Sequence, residues 1–225
     1  HGVWKDYYTN GQLWFEIEYD NGVPKGDYQS FYFNGKPQLK AHFTNGFVDG
    51  LYTEWYDNGN KRMEGNMKLC LKDGTWKYWN ENGTLGKIES FKNGILDGEF
   101  VFWDSDGVLK EKKYYKNGKL EGWEHIYYAK DTLKSVKYYM NGYLNYGEQK
   151  EFFRNGNLDK LSYNNVNLKM HYFKEGNLIS VNGDLLRLSW YKDGTLEAIT
   201  YSENGNNFAY LHFRNGQIKK KNRPA

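Results

Sequence analysis

The chain has one cysteine and three prolines in 225 residues, no long apolar run, and no dominant charge of either sign. Each shortage excludes something. A single cysteine, Cys70, rules out an intrachain disulfide and argues against a cysteine-based zinc site. No segment approaches the roughly 18 apolar residues of a membrane-spanning helix, and no signal peptide is visible. Acids and bases are interspersed and the formal net charge is +3, so there is no electrostatic footprint for nucleic acid. The one basic run, Lys219 to Lys221 with Arg223, reads as a solvated tail. What the chain has in quantity is aromatic rings, 19% of its residues at a mean hydropathy of −0.92. That combination is too aromatic for a disordered chain.

Glycine supplies the organisation. Gly2, Gly26, Gly50, Gly74, Gly98 and Gly122 fall at intervals of 24 residues. A second series, Gly11, Gly35, Gly59, Gly83 and Gly107, keeps that period, each glycine preceded by Asn or Asp. A third runs Gly22, Gly46, Cys70, Gly94, Gly118 and Gly142. After Gly147 the period slips and shortens, with turn-like pairs at Asn155-Gly156, Glu175-Gly176, Asn182-Gly183, Asp193-Gly194, Asn204-Gly205 and Asn215-Gly216. The expected organisation is therefore a single repeat array over 1–225, regular over 1–159 and built of degenerate, shorter hairpins over 160–225.

Asn-Gly flanked by β-formers is the strongest short-range hairpin signal. Residues Leu13, Phe15, Ile17 and Tyr19 alternate with mostly polar neighbours, the period of a strand with one wet face. In the fourth to sixth units Lys87, Glu89, Glu111 and Lys113 take inward-type positions, a polar middle that the sequence does not explain. A lone hairpin is marginal in water, so the units are expected to stack into an all-β, elongated, twisted antiparallel sheet. Two strands per unit advance such a sheet by roughly 10 Å.

Two aromatic series compete for the core. Tyr7, Phe31, Trp55, Trp79, Trp103 and Tyr127, five residues after each unit glycine, are aromatic every time and are assigned to the core. That assignment needs a three-residue loop with a bulge, which sets Tyr7 on the face of Leu13; a two-residue loop would set Tyr8 there. Tyr8, Tyr32, Tyr56 and Tyr128 are then the exposed, candidate partner-binding ladder, interrupted by Asn80 and Asp104.

Units such as GDYQSFYFNGKPQLKAHFTNGFVD resemble the MORN-repeat variant found in bacterial proteins, including those labelled antitoxin-like. The resemblance covers residues 1 to about 159 well and the remainder loosely. It implies stacked β-hairpins in a solenoid and a role in binding, with no catalytic residues to transfer. The near-balanced charge argues against the acidic phospholipid partner associated with eukaryotic MORN repeats.

Enzymatic constellations are thin. His1, His42, His125, His171 and His212 show no metal-ligand spacing, and no nucleophile elbow or phosphate-cradling loop is present. The DSDG at 104–107 falls on the regular turn position and reads as a turn rather than a calcium loop. Asp49, Asp73, Asp97 and Glu121 each precede a unit glycine and form an acidic stripe rather than a catalytic pair. The expectation is a non-catalytic protein, without cofactor or metal, that binds a protein partner over an extended aromatic surface. The alternative is a carbohydrate or cell-wall module of the choline- or glucan-binding type, with a glycan as ligand; a cytoplasmic antitoxin-like role is a third. A chain that starts at His1, extended and free of disulfides, is expected to suit an exported or surface bacterial protein better than a cytoplasmic one.

One position breaks the ruler. Leu69-Cys70 stands where the other units have Asn-Gly. Because cysteine tolerates positive φ poorly, a different turn is predicted there, with Leu69 and Leu71 partly packed.

Overall fold

The structure, a computed structural model, describes residues 1–129, 132–144, 148–163, 168–172, 174–183, 186–193, 196–203, 206–212 and 218–223. Gly194, Asn204, Gly205, Asn215 and Gly216, in the last three turn-like pairs, lie outside them. The chain divides into two compact units, His1–Glu121 and Gly122–Ala225. Among the described residues every regular element is a β-strand.

The first unit runs β1 (Gly2–Tyr7), β2 (Leu13–Asp20), β3 (Val23–Phe31), β4 (Pro37–Thr44), β5 (Phe47–Val48), β6 (Gly50–Trp55), β7 (Lys61–Lys68), β8 (Leu71–Trp79), β9 (Leu85–Lys92), β10 (Ile95–Trp103), β11 (Leu109–Lys116) and β12 (Lys119–Leu120). Successive strands pair antiparallel, with β5 and β6 together continuing the ladder from β4. The second unit runs β13 (Gly122–Ala129), β14 (Thr132–Met140), β15 (Tyr143–Leu144), β16 (Glu148–Phe152), β17 (Leu158–Tyr163), β18 (Leu168–Tyr172), β19 (Leu178–Asn182), β20 (Leu186–Trp190), β21 (Leu196–Glu203), β22 (Asn206–His212) and β23 (Ile218–Arg223), again antiparallel, with β15 and β16 both pairing with β14. The tandem-hairpin, all-β architecture is as expected.

Two turns alternate, and their chemistry differs. At the first, Tyr8 N donates to Gln12 O at 2.8 Å and Gly11 N to Tyr8 O at 2.9 Å. This is a three-residue loop whose last residue, Gly11, is left-handed at φ +83°. Asn10 does not share that conformation, so its value lies in its side chain. Its Oδ1 accepts from Gln12 N, and its Nδ2 donates to Phe33 O of the next repeat. Asn34, Asn58 and Asn82 repeat the arrangement toward Asp57, Glu81 and Ser105. The asparagine therefore closes its own turn and ties it to its neighbour.

At the second turn both central residues are left-handed, as in Asn21 (φ 49°) and Gly22 (φ 78°), the two-residue hairpin connection. The turn amides also bridge repeats: Gly46 N, Gly94 N and Gly118 N donate to Pro24 O, Lys72 O and Leu96 O. Here the prediction for residue 70 fails. Leu69 (φ 49°) and Cys70 (φ 63°) adopt the siblings' turn, and Leu69 and Leu71 are 57% and 48% exposed. Cys70 N donates to Val48 O at 2.8 Å, the same inter-repeat bond that the glycines make. Register overrides residue preference, because a different turn would leave that acceptor unmatched.

A bulge recurs in every regular hairpin. Tyr7 pairs with Leu13 but Asp6 pairs with Phe15, leaving Trp14 as the extra residue. Phe31/Pro37 with Ser30/Leu39, and Trp79/Leu85 with Tyr78/Lys87, show the same slip. The three-residue loop does set Tyr7 beside Leu13. Because Tyr7 and Asp6 are adjacent, however, Leu13 lies on the opposite face from Phe15, Ile17 and Tyr19.

That phase change moves the core. The ladder of Tyr7, Phe31, Trp55, Trp79, Trp103 and Tyr127 is not the buried layer: Tyr7 is 55% exposed and the other five are half-buried. Among the described residues, the buried apolar ones are Ile17, Ala41, Trp76 and Val101. Three of them belong to one layer, in which the second residue after each unit glycine faces a strand partner: Trp4 with Ile17, Tyr28 with Ala41, Tyr52 with Gly65, Trp76 with Glu89. The assigned ladder lies on the other face, where Thr53 and Val101 are buried.

Candidate functional site

The supposed exposed ladder is half-buried and committed to the fold. Tyr8, Tyr32 and Tyr56 donate their hydroxyls to the carbonyls of Phe31, Trp55 and Trp79, at 2.8, 2.6 and 2.9 Å. Each tyrosine thus stitches its repeat to the next. Tyr128, in the second unit, is half-buried with Lys134 and Arg154 over its ring. The residues marked as a contact surface are therefore largely structural, and the exposed apolar groups lie elsewhere.

In the first unit four of those groups form a rim. The residue after each of the first four two-residue turns is apolar and exposed, Val23 43%, Phe47 50%, Leu71 48% and Ile95 54%, whereas the fifth turn is followed by Lys119. A Cβ at Gly46, Gly94 or Gly118 would meet Val23, Leu71 or Ile95 at 3.2–3.3 Å, so these side chains rest on the next repeat's turn glycine. The chemistry beside the rim is structural. Asp73 and Asp97, from the acidic stripe, accept from Asn93 N and Asn117 N.

A second feature centres on Trp76, 0% exposed. Its indole lies over Gly65, where a Cβ would come within 2.4–2.5 Å of three ring carbons, and its Nε1 donates to Asn66 O at 3.0 Å. Tyr52 stands 5.7 Å and Tyr78 6.4 Å from it, centroid to centroid. Lys72 Nζ lies 4.5, 5.0 and 5.2 Å from the ring centroids of Trp76, Tyr78 and Phe91, and donates to the Tyr78 hydroxyl at 2.6 Å.

The polar middle of the later repeats now has a physical account. Lys87 pairs with Glu89 at 3.0 Å and sits 4.3 Å from the Tyr78 centroid; Lys113 pairs with Glu111 at 2.9 Å and sits 5.7 Å from that of Phe100. Strand partners explain the geometry, since Tyr78 faces Lys87 and Phe100 faces Lys113. Ion pairs laid on aromatic faces replace the aliphatic layer. The sequence signal for this face was present and overlooked: Trp4, Tyr28, Tyr52, Trp76 and Phe100 are aromatic at one offset in five consecutive units.

Burial sets the titration here. Desolvation raises the Tyr52 and Tyr78 phenols, with hydrogen bonds to Glu54 and Glu89 adding to it, and raises Tyr32 as well. Desolvation lowers Lys72. A group whose folded pKa is raised stabilises the fold fully below its unfolded value and ceases to as pH rises through the folded one. Lys72 acts in the opposite sense until its unfolded value near 10.4 is passed. Stability should therefore fall as pH climbs above about 10.4, and an ultraviolet phenolate titration should show a late phase that coincides with unfolding. Replacing Tyr52 and Tyr78 by Phe should shrink that phase; one early step for all tyrosines would contradict the assignment.

A family profile described as MORN repeat variant matches residues 1–21, 24–45, 48–69, 72–93, 96–117 and 145–165. No curated protein matches the chain. Among solved structures, a chain of the Photorhabdus luminescens Tc holotoxin pore carrying the TccC3-D651A mutation matches at 13% identity and a TM-score of 0.25, over 96% of this chain and 13% of that one. The chain thus spans a small part of that relative's length, and a likeness of that grade carries no argument.

Proposed function

Because the chain belongs to the MORN repeat variant family, whose repeats are associated with binding and interaction, we propose that it is a non-catalytic interaction protein taking a protein partner along the rim of its first unit. The observation that carries this reading is the stripe of Val23, Phe47, Leu71 and Ile95, four apolar side chains left about half exposed at one position of four successive repeats. Apolar groups spaced about 10 Å apart along a sheet edge offer the extended contact typical of repeat proteins. The non-catalytic half is supported by how the recurring polar groups are used. The turn asparagines, Asp73 and Asp97 are spent on backbone hydrogen bonds.

The test is capture from native lysate with the intact chain and with a Phe47→Asp, Leu71→Asp, Ile95→Asp variant. The native chain should retain a stoichiometric partner that the variant loses. No partner, or one held equally by both, would overturn the reading. The carbohydrate alternative rests on Trp4 and Trp14, 61% and 43% exposed, and a glycan array separates it.

A further inference from the structure

We propose that Trp76, Tyr78 and Phe91 form a cage for an alkylammonium ion, which Lys72 of the same chain occupies until a ligand displaces it. The observation behind this is a difference among the cations. Lys61, Lys113 and Lys134 each lie over one ring, and Lys87 lies over Tyr78 and is neutralised by Glu89. Among the described residues Lys72 alone has three rings within 5.2 Å of its ammonium. Ring faces converging on one point attract a cation through their quadrupoles, and most strongly where water is excluded. Glu54 and Glu89 add negative potential at that point, and Lys87 opposes it.

Lys72 is a displaceable occupant. Its ammonium makes a hydrogen bond to the Tyr78 hydroxyl, and its residue is half-buried, so the four-carbon stem can swing toward solvent. Burial disfavours its charged form, whereas a methylated ammonium is less strongly hydrated and gives up less on entering. Because Lys72 competes for the cage, the apparent affinity of the native protein is reduced by the fraction of time the cage is filled. This cage lies on the aromatic face, away from the rim stripe by strand alternation, so either reading can fail without the other.

Tetramethylammonium, choline and an N-acetyl-trimethyllysine amide should be titrated into the full chain and its Lys72→Ala variant. Binding is read from the indole N–H resonance of Trp76, assigned with Trp76→Phe. Lys72→Ala should bind tetramethylammonium about tenfold more tightly than the native chain and move that resonance, and adding Tyr78→Leu should weaken it again. Tighter binding of the trimethyllysine compound would identify a protein side chain as the source, and of choline a small molecule. Equal affinity in native and variant chains, or an unmoved resonance in a variant with native strand circular dichroism, would overturn the proposal. Should Lys72→Ala not fold, Lys72→Ser carries the same comparison.

Discussion

Trp76→Ala should lower the stability of the chain by about 3–5 kcal/mol, the range for emptying a large aromatic site, and Gly65→Ala by about 1–3 kcal/mol through overpacking. The argument for both is one contact. Gly65 sits opposite Tyr52 on β7 and beneath the indole of Trp76, and a methyl group there would come within 2.4 Å of ring carbons. At that distance the indole must leave its place, breaking its bond to Asn66 O and its approach to Lys72. Corresponding positions in the preceding repeats hold Ala41 and Ile17, whose partners Tyr28 and Trp4 are less buried. A double-mutant cycle by urea unfolding isolates the contact. Gly65→Ala should be close to neutral once Trp76 is alanine. If it is equally destabilising in both backgrounds, the two residues are not complementary and the glycine has some other purpose.

What was legible in the sequence was whatever ties a residue type to a place. Left-handed backbone selects glycine, and so the 24-residue ruler, both turn series and the hairpin architecture could be read directly. Strand phase could not. The residues carrying the recurring bulge, Trp14, Gln38, Arg62, Gly86 and Lys110, share no chemistry, because what matters is the extra backbone unit rather than its side chain. That extra residue reverses the face of everything before it, so the aromatic constancy at Phe31, Trp55, Trp79 and Trp103 does not mark the buried layer. The structural commitment of Tyr8, Tyr32 and Tyr56 is illegible for a related reason. Their hydroxyls reach carbonyls 23 residues away, contacts that exist only once repeats are stacked.

Leu69→Asn with Cys70→Gly should raise stability by about 1–3 kcal/mol. Left-handed backbone costs an ordinary L-residue roughly 1–2 kcal/mol, and Leu69 and Cys70 both hold it, at φ 49° and 63°. Asparagine and glycine relieve most of that strain. Little is lost in exchange: Leu69 is 57% exposed, Cys70 is exposed, and the Cys70 Sγ contact with Val48 N at 3.2 Å is a weak one. The amide of residue 70 would still donate to Val48 O, since that bond belongs to the backbone. The converse exchange, Asn45→Leu with Gly46→Cys, should lose a comparable amount, plus whatever the new Cβ at 46 incurs against Val23, 3.2 Å away. Urea midpoints for the two double variants decide the matter. Were Leu69→Asn with Cys70→Gly neutral or destabilising, the side chains at 69 and 70 would have to be making contacts worth as much as the strain they hold.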